Sequence, residues 1–189
     1  MKASKIKSSK FFSWHFIVIG FVLACAIGAR LSRLCAKELS KTDFALGTLC
    51  TIRLLEGGNS ATLAEAFARL RTIEDRMSVN KEGTEVSKIN KMSGKEAVQV
   101  SSDTFYVISK AIEYAKLTNG AFDPSIGPLV KLWNIGESGE KVPSSKDILA
   151  AKALVDWQDV VLDASTNKVF LRKQGMRLDL GAIAKGYAA

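Results

Sequence analysis

The sequence predicts an α+β protein with a mixed or antiparallel sheet and flanking helices. Segments in which apolar and polar residues alternate are interleaved with segments whose apolar residues recur at helical spacing. Several of the alternating segments are close enough along the chain to form hairpins, which favours this class over a doubly wound parallel sheet. Hydrophobic residues make up 47% of the 189 residues and charged residues 24%, a composition that excludes a disordered chain.

The positive charge of the chain is concentrated at its beginning. Residues 1–41 contain eight basic residues and one acidic residue, so they carry seven of the eight net positive charges. Residues 42–189 contain 19 basic and 18 acidic residues and are close to neutral, and their length suits one domain. A nucleic-acid-binding domain usually presents a long basic face. The charge distribution therefore predicts no nucleic-acid partner.

Residues 1–41 are predicted to form a signal, an anchor and a tether. Four lysines within the first ten residues precede an uncharged run, whose strongly apolar part is Phe16–Ala29. A cationic segment followed by about 7–15 apolar residues is typical of a secretory signal, whereas a membrane-spanning helix needs about 20. Both interpretations export residues 42–189, because the lysines stay in the cytoplasm.

Cys25 favours a lipid anchor at the end of this apolar run. The sequence Val22-Leu23-Ala24-Cys25 resembles a lipobox, in which a small residue precedes a cysteine that becomes lipidated. A lipidated Cys25 would hold the protein at the extracytoplasmic, periplasmic face of a bacterial inner membrane. An uncleaved helical anchor and a cleaved, secreted protein stay open as alternatives.

The first half of the domain at 42–189 is predicted to contain two strands and two longer helices around a short element. In chain order these are a strand over 43–55, a helix from the capping box Thr62–Glu65 to Met77, a short element at Thr84–Asn90, a strand at Ala97–Val100, and a helix capped by Ser101 or Ser102 that ends near Thr118. Asn119-Gly120 would end the last helix in the left-handed conformation.

The second half is predicted to contain three strands and two helices. They are a helix from Ser144 to about Val155, the strands Val160–Leu162 and Val169–Leu171 paired across Asn167, a strand at Met176–Leu180, and a helix that opens at Gly181. This last helix stops soon after it begins, so the sequence predicts a truncated chain.

Three stretches carry candidate site chemistry. Asn119–Asn134 combines glycines, an Asp-Pro pair and two aromatic residues, and on composition alone it is a structured turn. Arg177–Tyr187 delivers Asp179 to the end of a strand, turns at a glycine and starts a helix whose free N–H groups, with Lys185 nearby, suit phosphate oxygens. Met77–Asn80 with Thr84–Asn90 is a polar junction whose residues, taken singly, read as helix caps.

In this order and spacing the motifs resemble those of the ApbE family, the exported FAD:protein FMN transferases. The family pattern Met-Gly-Thr is matched at Leu46-Gly47-Thr48, and its Ser-rich element ending in Leu/Ile-Asn at Ser87–Asn90. Its Gly-Ala-Phe-Asp-Pro is matched at Gly120–Pro124, its Gly-Pro-Leu-Val…Leu-Trp at Gly127–Trp133, and its Leu-Asp-Leu-Gly-Gly/Ala-Ile-Ala-Lys-Gly-Tyr at Leu178–Tyr187. The resemblance covers residues 43–189, so residues 42–189 are expected to be the N-terminal part of a flavin transferase domain.

The resemblance implies a Mg²⁺-dependent enzyme whose substrate is FAD. Such a protein transfers FMN to a Thr or Ser hydroxyl of an acceptor flavoprotein, such as a subunit of a redox membrane complex, and releases AMP. Some members hydrolyse FAD to FMN and AMP instead. The nucleophile belongs to the acceptor or to water, so this chain needs no catalytic triad.

The matched positions imply a set of site residues. Ala121, Phe122, Asp123, Asp179 and Lys185 would contact FAD. The carbonyl oxygen of Ala182 would be a Mg²⁺ ligand, since Mg²⁺ takes carbonyl, carboxylate and phosphate oxygens. Lys185 is also the candidate catalytic residue, because an ammonium group can neutralise charge on a phosphate oxygen.

Two further expected FAD contacts depart from the family pattern. Leu46 replaces the usual Met at an apolar contact with the flavin. Asn80 stands where many members have an aromatic residue that can stack on FAD, and loss of that stacking favours turnover of FAD over its storage.

The family's acidic and hydroxyl Mg²⁺ ligands, and a histidine implicated in catalysis, lie beyond the Lys-Gly-Tyr-Ala segment. The 189-residue chain is therefore expected to be inactive on its own. Two rival classes stay open beside the enzyme: a lipoprotein that binds flavin without chemistry, which releases no AMP, and a structural membrane-tethered module, which shows no FAD-induced thermal shift.

Overall fold

The computed structural model of the chain describes residues 38–134, 139 and 141–189. The predicted signal and Cys25 lie outside the described residues. The chain divides into two compact units, one made of the residues up to Thr42 with Thr51–Ala64 and the other of Asp43–Cys50 with Glu65–Ala189. In the part that the structure describes, every helix is too short or too polar to cross a membrane.

The first two strands form a hairpin, so the prediction of one strand over 43–55 is wrong. The strands are β1 (Leu39–Ala45) and β2 (Thr48–Leu54), and they pair in a two-stranded sheet. Leu46 and Gly47 between them have φ angles of 54° and 70°. Two consecutive positive φ angles produce a tight two-residue turn, which the alternating apolar pattern did not reveal because it continues through the turn.

The first helix, α1 (Ser60–Met77), begins earlier than its predicted capping box. The Oδ1 atom of Asn59 accepts hydrogen bonds from the backbone N–H groups of Ala61 at 2.9 Å and Thr62 at 3.1 Å. Asn59 is therefore the residue that caps the helix, a role that Asn fills as well as Thr. The predicted end at Met77 is confirmed, and the residues predicted for its apolar face are buried: Leu63, Phe67, Leu70, Ile73 and Met77.

The next helices begin at the predicted caps. Thr84 caps α2 (Glu85–Lys91), and Ser101 caps α3 (Ser102–Leu117) by accepting a hydrogen bond from the N–H of Thr104. After α3, Asn119 and Gly120 have φ angles of 51° and 81°, which confirms the left-handed termination.

Three short antiparallel strands make a second sheet. They are β3 (Val98–Gln99), β4 (Val160–Asp163) and β5 (Lys168–Leu171), and β5 is central. Val160 pairs with Leu171 and Leu162 with Val169, which confirms the predicted hairpin. The remaining α-helices are α4 (Gly127–Trp133), α5 (Ser145–Lys152), which stops short of the predicted Val155, and α6 (Gly181–Ala188), and Trp157–Asp159 forms a short 3₁₀ helix.

Residues Met176–Leu180 do not form the predicted strand. Their only strand-like pairing among the described residues is one parallel bridge between Arg177 and Ile126. Met176, Leu178 and Leu180 are nonetheless fully buried, so the alternation that suggested a strand reflects burial of every second side chain. Their polar backbone atoms are satisfied by a loop and a side chain, as described below.

The hydrophobic core lies in the second unit. It joins side chains from α1, α2, α3, β4, β5 and the 176–180 segment, with Ala184 of α6 at its edge. Met176, Leu178 and Leu180 bury every second side chain of the irregular segment in this core, and Arg177 and Asp179 between them are half-buried. The core positions the segment that carries the candidate site.

Candidate functional site

The centre of the candidate site is Arg177–Gly181, which we call the Asp179 corner. Asn90, at the end of α2, grips this corner from one side. Its side-chain amide donates a hydrogen bond to the carbonyl of Leu178 at 3.0 Å, and its Oδ1 accepts one from the N–H of the same residue at 2.7 Å. Asn90 is 5% exposed and Leu178 is fully buried, so these bonds replace those that a neighbouring strand would supply.

The loop before α4 and the first residue of that helix also hydrogen-bond the corner. The N–H of Asp179 donates to the carbonyl of Pro124 at 2.8 Å, and the N–H of Gly127 donates to the carbonyl of Arg177 at 3.2 Å. A Cβ atom on Gly127 would lie 2.7 Å from that Arg177 oxygen. Glycine is therefore required at position 127 because the two backbones approach so closely.

The carboxylate of Asp123 stabilises the loop that makes these contacts. Its Oδ1 accepts from the N–H and the hydroxyl of Ser125 at 2.8 and 2.7 Å, and its Oδ2 accepts from the N–H of Trp157 at 3.1 Å. Ser125 is fully buried, and its Oγ accepts from the N–H of Asp156 at 2.8 Å. Both carboxylate oxygens of Asp123 thus hold its own loop in place, and the predicted contact with FAD stays a prediction.

Asp179 itself stands at the start of α6. Its Oδ1 accepts a hydrogen bond from the N–H of Gly181 at 2.8 Å. One of the N–H groups that we expected to be free for phosphate oxygens is therefore already engaged, while Leu180, at the cap position, contributes no side-chain bond. Asp179, which is half-buried, also lines a cavity.

This cavity has a volume of about 620 Å³ and contains two of the predicted site residues, Asn80 and Asp179. Its walls come from the α1–α2 connection, α2, α4 and the Asp179 corner. Its size falls within the range of about 300–1,000 Å³ that is usual for small-molecule sites. Five basic residues line it: Lys81, Lys88, Lys91, Lys131 and Arg177. We call it the basic cavity.

Ala182, the predicted Mg²⁺ ligand, lines a different and more open cavity. This second cavity, of about 1080 Å³, lies between α3 and α6 and is lined in part by Tyr106 and Tyr187. Lys185 lines neither cavity. Its side chain is exposed, and its Nζ donates to the carbonyl of Gly181 at 3.3 Å within the same helix.

The remaining predicted contacts are near the core rather than in the basic cavity. Leu46 and Phe122 are half-buried and pack against the core cluster, whereas Ala121 is exposed beside Phe122. Leu46 combines this packing with a φ angle of 54°, which is uncommon for a residue with a branched side chain. The structure thus joins Asn80 and Asp179 in one cavity, and the other predicted residues do not line it.

A charged cluster fastens α6 to its neighbours. The Oδ2 atom of Asp103 on α3 accepts from Arg76 at 2.6 Å and lies 2.8 Å from Nη1 of Arg69, and its Oδ1 accepts from the hydroxyl of Tyr187 on α6 at 2.7 Å. The hydrogen bond from Arg69, followed by that from Tyr187, lowers the pKa of Asp103 to about 2. The same Asp103 bond raises the pKa of Tyr187. The cluster sets the position of the helix that follows Asp179.

The described residues do not complete a magnesium site by themselves. Over residues 38–134, 139 and 141–189 no three His, Cys, Asp or Glu side chains are grouped closely enough to hold a metal. Mg²⁺ requires an octahedral set of oxygen ligands, and the carbonyl of Ala182 would supply only one of them.

Comparison with known proteins identifies the family. Residues 46–189 match the model of the ApbE family. The chain belongs to the ApbE family. The chain is also 44% identical over 131 residues to the FAD:protein FMN transferase of Klebsiella pneumoniae (strain 342), a match that covers 69% of this chain and 42% of the relative. It is 33% identical over 185 residues to the FAD:protein FMN transferase of Treponema pallidum (strain Nichols), covering 93% of this chain and 51% of the relative.

Solved structures of ApbE proteins have the same α+β fold. A crystal structure of the ApbE protein of Thermotoga maritima superposes with a TM-score of 0.74 at 35% identity, over 80% of this chain and 50% of that one. The flavin transferase ApbE of Vibrio cholerae gives a TM-score of 0.74 at 28% identity, again over 80% and 50%. This ApbE family member thus spans about half the length of the relatives that it matches.

Several residues that shape the site of this ApbE protein were not among the predicted contacts. Asn90 ends a predicted motif, but an Asn at the C-terminal end of a short helix is also an ordinary cap. Gly127 begins another motif, but its close approach to Arg177 involves a residue 50 positions further along the chain. The basic lining was invisible in the sequence, because its lysines are distributed over three separate segments whose net charge is small.

Proposed function

We propose that this chain is part of an FAD:protein FMN transferase, which moves FMN from FAD to a Thr or Ser hydroxyl of an acceptor flavoprotein and releases AMP. The observation that carries the proposal is the Asp179 corner, on which Asn90 of one family motif and Gly127 of another converge. The motifs that carry the family resemblance hold one short backbone segment at the wall of a cavity of ligand size. The names of the relatives supply the reaction class.

The reaction exchanges one phosphorus–oxygen bond for another. The acceptor hydroxyl oxygen forms a bond to the phosphorus of the FMN half, and the bond between that phosphorus and the bridging oxygen breaks. AMP leaves with the bridging oxygen, and the hydroxyl proton passes to solvent or to a base. Such a transfer asks the protein mainly for positioning and charge neutralisation.

The residues of this chain are proposed to bind and orient FAD. Asn80 and Asp179 contact it from the walls of the basic cavity, where the Asp179 carboxylate can accept hydrogen bonds from FAD hydroxyl or N–H groups. Lys185 lies on the exposed side of α6, from which its ammonium group can turn toward a phosphate oxygen. Leu46, Ala121, Phe122 and Asp123 complete the proposed FAD-binding set.

Mg²⁺ is part of the proposal as a cofactor. When bound, it would neutralise negative charge on the phosphate oxygens. The carbonyl oxygen of Ala182 is the one ligand that we assign to it in this chain. The expectation that these 189 residues do not transfer FMN by themselves stays a prediction.

Hydrolysis of FAD to FMN and AMP is the second candidate, and Asn80 favours it. An exposed amide at this position offers no aromatic face for stacking, so FAD would be held less firmly and turned over more readily. A flavin-binding lipoprotein without chemistry is the third.

We further propose that the protein works at the extracytoplasmic face of a bacterial inner membrane, anchored by a lipid on Cys25. The lysine-rich start, the apolar run and the cysteine of the sequence support this location. The acceptor would then be a subunit of a redox complex in the same membrane.

One experiment separates these candidates. The chain is incubated with FAD and Mg²⁺, with and without the apoprotein of a membrane redox flavoprotein, and the products are resolved by chromatography and denaturing electrophoresis. Transfer gives AMP together with a fluorescent protein band that survives denaturation. Hydrolysis gives AMP and free FMN without acceptor, and binding alone gives neither. Absence of AMP in every arm, measured on the complete gene product, would rule out both enzymatic candidates.

A further inference from the structure

The basic cavity concentrates positive charge in a domain that is otherwise almost neutral. Five basic residues line it against two acidic ones, Glu82 and Asp179, an excess of three positive charges. Residues 42–189 as a whole have an excess of only one. The rest of the domain must therefore carry a small net negative charge, and the positive excess lies at the residues that line the cavity.

Four of the five cations are not neutralised by carboxylates. Lys81 is ion-paired with Glu74 at 3.2 Å and Asp75 at 3.0 Å. Within the described part of the chain, the other four form no ion pair; they are Lys88, Lys91, Lys131 and Arg177, which we call the basic rim. By contrast, Arg172 and Lys173, which are close in sequence to Arg177, are both neutralised by Asp159.

The basic rim is built from three elements that surround one space. Lys88 and Lys91 are three residues apart on α2, so their side chains leave the helix on the same side. Lys131 comes from α4, and Arg177 belongs to the Asp179 corner that α2 and the loop before α4 hold in place. The contacts that fix the corner therefore also fix the relative positions of the elements that carry the rim.

A rim of this kind suits a small ligand that carries phosphate groups. The cavity is too small for a folded domain but large enough for a nucleotide. Lysine ammonium groups act on phosphate as mobile point charges, and a half-buried guanidinium such as that of Arg177 can bind two phosphate oxygens at once. Charge of one sign inside a cleft also raises the rate at which an oppositely charged ligand arrives.

We propose that the basic rim recognises the diphosphate of the flavin dinucleotide by charge, so that the site selects phosphorylated flavins over riboflavin. This inference rests on the proposed function and adds to it the residues that select the substrate. The rim acts on binding and on the association rate.

The test uses two triple variants of equal charge. One removes three rim lysines, as Lys88→Gln, Lys91→Gln and Lys131→Gln. The other removes three exposed lysines that do not line either cavity and have no ion pair in the described structure, as Lys95→Gln, Lys152→Gln and Lys168→Gln. Binding of FAD and of riboflavin is measured by fluorescence at about 20 and 200 mM salt, where screening of exposed charges differs strongly. Inorganic pyrophosphate is titrated separately by calorimetry.

We expect the rim variant to bind FAD about tenfold or more weakly than the wild type at low salt, with a smaller loss of affinity between the two salt concentrations. Its riboflavin affinity should stay within about twofold, and the control variant should match the wild type for both ligands. Equal FAD affinity in the rim and control variants would overturn the proposal and leave the proposed function standing. An equal loss of affinity for FAD and for riboflavin would also overturn it, because the rim would then affect the shape of the cavity and not the recognition of the diphosphate charge.

Pyrophosphate separates failure of this inference from failure of the proposed function. If the wild type binds pyrophosphate through the rim but does not bind FAD, the phosphate site is supported and the flavin function fails. If it binds neither, both fail. If the rim variant instead loses only the binding of a poly-glutamate peptide, the rim is a surface for an acidic protein partner and the proposal is wrong.

Discussion

The side chain of Asn90 hydrogen-bonds both polar backbone atoms of Leu178, 88 residues further along the chain. The side-chain amide of Asn90 thus supplies the hydrogen bonds that a neighbouring strand would supply in a sheet. The bonds hold Asp179, the next residue, at the wall of the basic cavity. The local stability of the site therefore depends on a residue that does not line that cavity.

Replacing Asn90 with Leu should destabilise the protein strongly. Leu has a similar volume but leaves the buried N–H and carbonyl of Leu178 without partners, at about 1–3 kcal/mol for each group. We expect the free energy of unfolding, measured with urea, to fall by about 2–6 kcal/mol. The matched control is Asn80→Ala, because Asn80 is exposed and its change should stay within about 0.5 kcal/mol. Similar losses in both variants would show that the Leu178 bonds contribute little.

Replacing Gly127 with Ala should force the corner away from α4. The new methyl group would meet the Arg177 carbonyl oxygen at 2.7 Å and the Arg177 Cβ at 2.8 Å. We expect about 1–3 kcal/mol of destabilisation in urea unfolding, as for other overpacked sites. Gly186→Ala is the control, since a Cβ there meets nothing within 4 Å and alanine favours a helix by up to about 1 kcal/mol. Unchanged stability of the Gly127 variant would contradict the close approach.

The Asp103 cluster should make stability depend on pH at the acid end. The pKa of Asp103 is about 2 in the folded protein, below the ordinary value of 3.8. The unfolded chain therefore takes up this proton first, so the stabilisation is complete above about pH 4 and is lost as the pH falls toward 2. We expect Asp103→Asn to lower the free energy of unfolding at pH 7 by about 1–2 kcal/mol, a figure reduced because Arg69 and Arg76 are partly exposed.

The measurement is urea unfolding from pH 2 to pH 7 for the wild type and Asp103→Asn. The difference between the two curves should shrink from about pH 4 down to pH 2, because protons bind the unfolded wild type first and the folded Asp103 loses its charge only near its pKa of about 2. Tyr187→Phe, which removes one hydroxyl and keeps the ring, should cost about 1 kcal/mol at pH 7. A difference that is independent of pH would show that the carboxylate charge does not matter.

Asp123 and Asp179 should respond differently to loss of charge. Asp123 uses one oxygen as an acceptor within its loop and the other as an acceptor for the distant Trp157 N–H, so Asp123→Asn places an NH₂ group opposite a donor and should reduce the free energy of unfolding by about 1–3 kcal/mol. In Asp179→Asn the amide oxygen can still accept from Gly181, and stability should change by less than about 1 kcal/mol. The Asp123 variant should therefore unfold at a lower urea concentration than the Asp179 variant. A lower urea midpoint for the Asp179 variant would contradict these roles of the two carboxylates.

The sequence predicted those elements that are determined by residues close together along the chain. The caps at Thr84 and Ser101, the left-handed end at Asn119-Gly120 and the hairpin across Asn167 all depend on residues within a few positions. The prediction failed where neighbouring residues offered two alternatives, such as two possible helix caps or a strand with or without a turn. Asn59 rather than Thr62 caps α1, and a turn at Leu46-Gly47 divides a continuous alternating pattern.

The sequence motifs named candidate site residues, but they did not show how distant parts of the chain bring them together. Asn80 and Asp179, both predicted to contact FAD, line one cavity, and the contact of either with FAD stays a prediction. The strand expected at Met176–Leu180 was wrong because the partners of its backbone are a side chain on α2 and a loop before α4. Alternation along a chain indicates burial, and it cannot say which atoms supply the hydrogen bonds.

The central claim is that Asp179 contacts FAD in the basic cavity, and calorimetric titration of FAD into the wild type and Asp179→Asn tests it most directly. Charge alone would make the variant bind the anionic FAD more tightly, since one negative charge leaves the cavity. A direct contact predicts the opposite: binding by the wild type that strengthens with Mg²⁺, and a loss of about tenfold, or ~1.4 kcal/mol, in the variant. Equal or tighter binding by the variant, or a wild type that does not bind FAD with Mg²⁺ present, would contradict the account.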